Sequence, residues 1–125
     1  VDGVTGLNEW IADLDRAQSK SLPAVDAVVA KGALNVKKGA AKRIEGHPHA
    51  PAYPAAISYD TFHTPGTSRA EIGPDKGKRQ GALGNILEFG TVNNPPIPHL
   101  VPALDEEGPR FENAIGDLGV RLLDG

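Results

Sequence analysis

Apolar residues recur at helical spacing near the start of the chain. Leu7, Trp10, Ile11 and Leu14 share one face, with Asp13, Asp15 and Arg16 elsewhere. Thr5 suits the N-cap of this first helix, with Asn8 where a capping box prefers Glu or Gln. Ser21-Leu22-Pro23 interrupts it, and a second helix capped by Ser21 with Pro23 in its first turn follows. Its inner side holds Val25, Val28, Val29, Val36, Ala40 and Ile44, while Lys31, Lys37, Lys38, Lys42 and Arg43 decorate the rest. The pattern stops near Glu45-Gly46, and the prolines of residues 47–54 push the chain out of helix.

The period then changes from helical to two. Residues 56–64 read as a strand in which Ile57, Tyr59 and Thr61 alternate with Ser58, Asp60 and Phe62. Pro65-Gly66 is a turn, and residues 68–72 form the return strand of a hairpin. Residues 73–84 carry Lys76, Lys78 and Arg79 among glycines and read as a mobile basic loop. Residues 83–89 form a short ordered element whose pattern fits helix and strand equally. At the C-terminal end Pro102 suits a helix start, Gly108-Pro109 predicts a break, and a new helix follows with Phe111, Ile115, Leu118 and Leu122 on one stripe. The reading is α+β: N-terminal helices, a small antiparallel sheet with a hairpin, and a C-terminal helix, in a single domain over residues 1–125.

Composition narrows what such a domain does. The 125 residues include no Cys, which removes disulfides and thiolate metal sites and fits assembly in a reducing cytoplasm. No signal-peptide pattern or long apolar run points to secretion or a membrane span. The net charge of −3 gives no global attraction to nucleic acid. Aromatics make up 5%, against 15 Gly and 11 Pro, so the core is thin and completion by neighbouring subunits is expected.

The densest local information lies in Leu87-Glu88-Phe89-Gly90-Thr91, the turn Asn93-Asn94, the spacer Pro95-Pro96-Ile97-Pro98 and the helix start His99-Leu100-Val101-Pro102-Ala103-Leu104. It holds no nucleophile beside a base and no phosphate-binding glycine loop. Its content is geometric: an element end, a stiff spacer and a helix origin fixed in space. Glu88, between two apolar residues, is expected to pair with a cation of a neighbouring subunit. His99 is expected at a surface or interface. His47, His49 and His63 are weighed as metal ligands, but the flanking prolines account for the His-x-His geometry, and no metal or other cofactor is assigned. Asp105, Glu106, Glu107 and Glu112 are read as a solvated helix face rather than catalytic carboxylates.

This block resembles the small tail-completion, or head–tail joining, proteins of long-tailed phages. Members show a Glu-Phe-Gly-Thr element, a proline-containing loop and a Leu-any-Pro-Ala-Leu helix start, matched here by residues 87–105. After the long helix those proteins show Ala-Pro-Val-Asp-Thr-Gly. This chain has His47-Pro48-His49-Ala50-Pro51-Ala52-Tyr53-Pro54 instead, which leaves tail completion, tail termination and head closure open. The resemblance implies a non-enzymatic virion protein of the neck, assembled in the host cytoplasm as a sixfold ring around the DNA channel. Its neighbours would be head-closure and tail-terminator or tail-tube proteins. Glu88, Phe89, Gly90, Thr91, Pro95, Pro96, Pro98, His99, Leu100 and Pro102 are the expected partner interface. Lys76, Lys78 and Arg79 are the expected contact with DNA passing through, touched without reading sequence. The alternative is a small nucleic-acid-binding module using the basic loop. A hydrolase built on His63 would need a carboxylate beside it in a pocket, which the sequence does not specify.

Overall fold

In the computed structural model, which describes residues 12–13 and 22–124, the α+β reading holds. In chain order the elements are β1 (Ala12–Asp13), α1 (Leu22–Ile44), a 3-10 turn (Pro54–Ala56), β2 (Ile57–Thr64), β3 (Thr67–Pro74), a second 3-10 turn (Gly81–Leu83), α2 (Gly84–Phe89) and α3 (Leu100–Asp124). The three strands form one antiparallel sheet in the order β1-β3-β2.

The hairpin follows its sequence closely. Thr64 pairs with Thr67 and the register runs without a bulge to Ile57 opposite Pro74. Pro65 fixes a negative φ at the first corner position and Gly66 supplies φ +76° at the second, the type II combination. Directly opposed residues share a face. One face presents Ile57, Ser68, Ala70 and Ile72 to the core, where all four are buried. The other carries Phe62 opposite Arg69, whose guanidinium lies 4.2 Å from the Phe62 ring centre.

The first expected helix needs correction at Ala12 and Asp13. They pair as a strand with Ser68 and Thr67, because the edge of β3 offers them backbone partners that helical spacing cannot anticipate. Thr5, Leu7, Trp10, Ile11, Leu14 and Ser21 lie outside the described residues.

Helix α1 is the central element, with the sheet on one side and α3 on the other. Val25, Val29, Ala33, Val36, Ala40 and Ile44 recur every three or four residues and are all buried. Toward α3, small residues let the backbones approach: a Cβ placed on Gly39 would meet that of Ala103 at 3.4 Å. Asn35 Nδ2 donates to Glu107 Oε2 at 2.9 Å, and Arg43 pairs with Glu106. These contacts run α3 antiparallel to α1. The Arg43 guanidinium, first by hydrogen bonding and then by its charge, holds the Glu106 carboxyl below its ordinary range. The helices also divide the charge. Helix α1 carries Lys31, Lys37, Lys38, Lys42 and Arg43 against Asp26 alone. Helix α3 carries Asp105, Glu106, Glu107, Glu112, Asp117 and Asp124 against Arg110 and Arg121.

Helix α3 also corrects the expected break. It passes through Gly108 and Pro109 without interruption. Pro109 removes one hydrogen bond to the carbonyl of Asp105, but it is exposed, and Gly108 lacks the Cβ that proline crowds in the preceding residue. Buried Ala103, Leu104 and Glu107 before it, and Phe111 and Leu118 after it, anchor both halves. Glu107 thereby departs from the solvated face expected of the acidic cluster: it is buried, bonded to Asn35, and 2.9 Å from Arg110 Nε.

Residues 73–84, expected as a mobile loop, begin as the last residues of β3 and continue as hydrogen-bonded turns. Asp75 N–H donates to Ala56 O at 2.8 Å, and Gln80 Oε1 accepts from Ala52 N–H at 2.6 Å. The glycines there serve tight turns between packed elements, a role that composition alone reads as looseness.

Phe111 is buried in the core cluster with Leu104 and Leu118. Phe111→Ala is expected to lower the unfolding free energy by about 3–5 kcal/mol, the range for a truncated core phenylalanine. Equilibrium denaturation in urea checks it, and a loss below about 1 kcal/mol, the scale of surface changes, would place this side chain at the surface instead.

Candidate functional site

The resembling block forms the junction between α2 and α3. Helix α2 ends at Gly90, whose φ of +74° disfavours any side chain. A Cβ there would also come within 2.7 Å of Asn94 O and Pro96 N. The chain then folds back on itself. Thr91 N–H donates to Asn94 O at 2.8 Å, and Asn94 Nδ2 donates to Thr91 Oγ1 at 3.1 Å. Between residues 95 and 98 only Ile97 has a backbone N–H, and it donates to Leu87 O at 2.6 Å. The ten residues 89–98 are therefore a closed loop with pinned ends.

Glu88 supplies the second closure. Its Oε1 accepts from the backbone N–H of His99 at 3.1 Å and of Leu100 at 2.8 Å, and its Oε2 from Val101 at 3.3 Å. Pro102 has no N–H, and Ala103 N–H donates to His99 O. Every donor in the first turn of α3 is thus satisfied or absent, with the carboxylate where the helix dipole favours an anion. Glu88 is buried, so the expectation that it pairs with a neighbouring subunit is corrected.

His99 is corrected likewise. It is fully buried, as is Tyr53, because the helix start faces the core rather than the surface. Its Nδ1 lies 2.9 Å from Ile97 O and 3.2 Å from Glu88 Oε1. Both are acceptors, which places the proton on Nδ1. Nε2 then accepts from the Tyr53 hydroxyl at 2.7 Å. The two rings meet edge to face with centres 5.2 Å apart. Burial first, and the Glu88 charge second, raise the Tyr53 phenol well above its ordinary value. A Tyr–His–Glu chain has the composition of a proton relay, and both of its rings are 0% exposed. Through its hydroxyl on His99, Tyr53 ties the segment after α1 to the start of α3.

The remaining interface residues divide by exposure. Leu100 is buried and is removed from the partner surface. Phe89 is 59% exposed and Val92 fully so, and Thr91, Pro95, Pro96 and Pro98 are exposed beside them. Gly90 and Pro102 are intermediate. Ile86 and Val101 extend the exposed apolar set on either side of the loop. Lys76, Lys78 and Arg79 are exposed on the turn after β3. His63 pairs with Asp26 of α1 at 3.1 Å, while His47 and His49 stack edge to face 6.0 Å apart on the segment after α1. The structure does not bring the three together, and among the described residues no group of three or more His, Asp or Glu is placed to hold a metal. Among the described residues, too, no helix is long and apolar enough to cross a membrane.

Sequence reasoning missed the roles of Tyr53, Glu88 and His99. One signal was available. The residue before α3 is His99, not Ser, Thr, Asp or Asn, so a long helix begins without a local cap. A remote acid is the physical alternative, and Glu88 is the acid between two apolar neighbours. No protein-family model, curated protein or solved structure matches the chain.

Two outcomes test this junction. Glu88→Ala is expected to cost about 2–3 kcal/mol of stability, because it strands buried N–H donors and removes a cap. Glu88→Gln, which retains an acceptor oxygen, should lose less; equal and negligible losses in urea denaturation would refute the cap. The raised Tyr53 phenol makes a signed prediction. Its contribution is fully present below the unfolded value of 10.0 and is lost as pH rises above it toward the higher folded value. Stability followed by denaturation above pH 10 should fall more steeply in the parent than in Tyr53→Phe.

Proposed function

We propose that this chain is a structural protein of the phage neck, forming a ring that joins the DNA-filled head to the tail tube. The observation that carries the reading is a coincidence of position. The block resembling the head–tail joining proteins is the stretch locked into one rigid junction by Glu88. That junction turns Phe89, Val92 and three prolines outward. A preorganised apolar loop binds a partner with little ordering cost, which suits assembly by many modest contacts repeated around a ring. Lys76, Lys78 and Arg79, exposed on a short turn, suit weak contact with phosphates passing the channel. No catalytic step, metal or cofactor is assigned to the chain. The partners in this reading are other copies of itself and the adjoining head-closure and tail proteins.

The test is the mass of the purified protein, alone and with tail tubes, by sedimentation or native mass measurement. A closed ring, free or seated on tubes, is the expected result; a monomer in both conditions would refute the reading. Replacing Pro95, Pro96 and Pro98 by Gly should leave the circular dichroism spectrum unchanged while lowering the yield of joined particles. Salt-sensitive binding of the monomer to DNA, with no ring, would favour the small nucleic-acid module instead.

A further inference from the structure

We infer that copies of this chain associate through the basic outer face of α1 on one copy and the acidic outer face of α3 on the next. The inference rests on the ring reading above and names the surfaces that would close it.

The two faces are complementary in charge and in spacing. Lys31, Lys38 and Lys42 stand at i, i+7 and i+11 of α1, which places them on one stripe. All three are exposed, and Lys31 and Lys38 make no ion pair or hydrogen bond among the described residues. On α3, Asp105 and Glu112 are also seven residues apart, exposed and without a partner among the described residues. Seven residues advance a helix by about 10.5 Å, so two lysines of one copy can meet two acids of the next in register.

The chain satisfies this complementarity only in part. The α1–α3 contact within one copy uses Asn35 with Glu107 and Arg43 with Glu106, and the Lys42 charge also acts on Glu106. Lys31 borders that contact, lining a groove with Asn35, Glu107 and Arg110, but neither it nor Lys38 forms an ion pair among the described residues. Counting round α3 at 100° per residue, Asp105 and Glu112 lie about 120–140° from the buried line of Leu100, Phe111 and Leu118. Their face is open. A Cβ added at Gly108, Gly116 or Gly119 on the same flank would meet nothing within 4 Å in the chain. Because the two patches differ, their pairing is heterologous, and such pairing closes into a ring when the rotation allows. Opposite charges in register also set the direction in which one copy approaches the next.

The experiment reverses charge on each face of the full chain. Lys31→Glu with Lys38→Glu, and separately Asp105→Lys with Glu112→Lys, should each weaken self-association about tenfold or more, because like charges then oppose. Mixing the two variants in equal amounts should restore the oligomer, since each then presents what the other lacks. The chain with all four substitutions should assemble as the parent does. Circular dichroism establishes that the variants are folded. Association of the parent should weaken as salt rises. Unchanged oligomer mass in both double variants overturns the inference while leaving the ring reading intact. A parent monomeric at every salt concentration overturns both. Charge-swap rescue with rings that fail to engage tail tubes sustains the inference and removes the neck reading.

Discussion

A single carboxylate fixes the layout of half the molecule. Glu88, on a six-residue helix too short to be stable by itself, accepts the N–H groups that begin a 25-residue helix. Burying that charge is costly unless it is fully bonded, and three backbone donors with the His99 ring beside them meet the condition. Hydrogen bonds to a charged group contribute about 1.5–3 kcal/mol each, against about 1 for neutral pairs. The direction of α3, the closure of residues 89–98 and the burial of His99 follow from this one arrangement. Through the Tyr53 hydroxyl on His99 it reaches the segment that leaves α1, so both ends of the core meet at the same point.

The second constraint is the narrowness of α1 on its α3 side. With few aromatics the chain does not fill space with large side chains. It brings helices close instead, through Gly32, Gly39 and Ala103, and uses Asn35 to bond Glu107 in the resulting contact. Phe111 and Leu118 supply the bulk farther along α3. This division explains why the helix tolerates Pro109: the lost hydrogen bond lies on the exposed side, whereas the contacts that hold the helix lie opposite it.

What was legible in the sequence was what local physics decides. The helical recurrence of Val25, Val29, Val36, Ala40 and Ile44 on one side pointed to α1, and Pro65-Gly66 between alternating runs pointed to the hairpin with its turn in place. The errors share one cause, which is a partner distant in the chain. Ala12 and Asp13 pair with residues more than fifty positions away. Gly108-Pro109 reads locally as a stop, but packing on both sides carries the helix through. Residues 73–84 read as loose because glycines carry no apolar signal, while Asp75 and Gln80 tie them to residues 56 and 52. His99 and Glu88 read as surface groups because each is polar, and only their meeting makes burial affordable. Of the residues expected at an interface, Phe89, Thr91, Pro95, Pro96 and Pro98 are exposed, whereas Glu88, His99 and Leu100 are turned inward.

That division between exposed and anchoring residues bears on how such a surface acts. A helix capped by its own N-cap residue is free to change its angle to the preceding loop. Here the cap comes from α2, across the loop, so α2, the loop and the start of α3 behave as one body. Asp105 lies within the next turn and a half of that helix, and Glu112 two turns beyond it. A contact made on the loop and a contact made on the outer face of α3 are therefore held at a fixed separation and angle. The proposed ring would depend on this, since a small error in the angle at each subunit would accumulate and prevent closure.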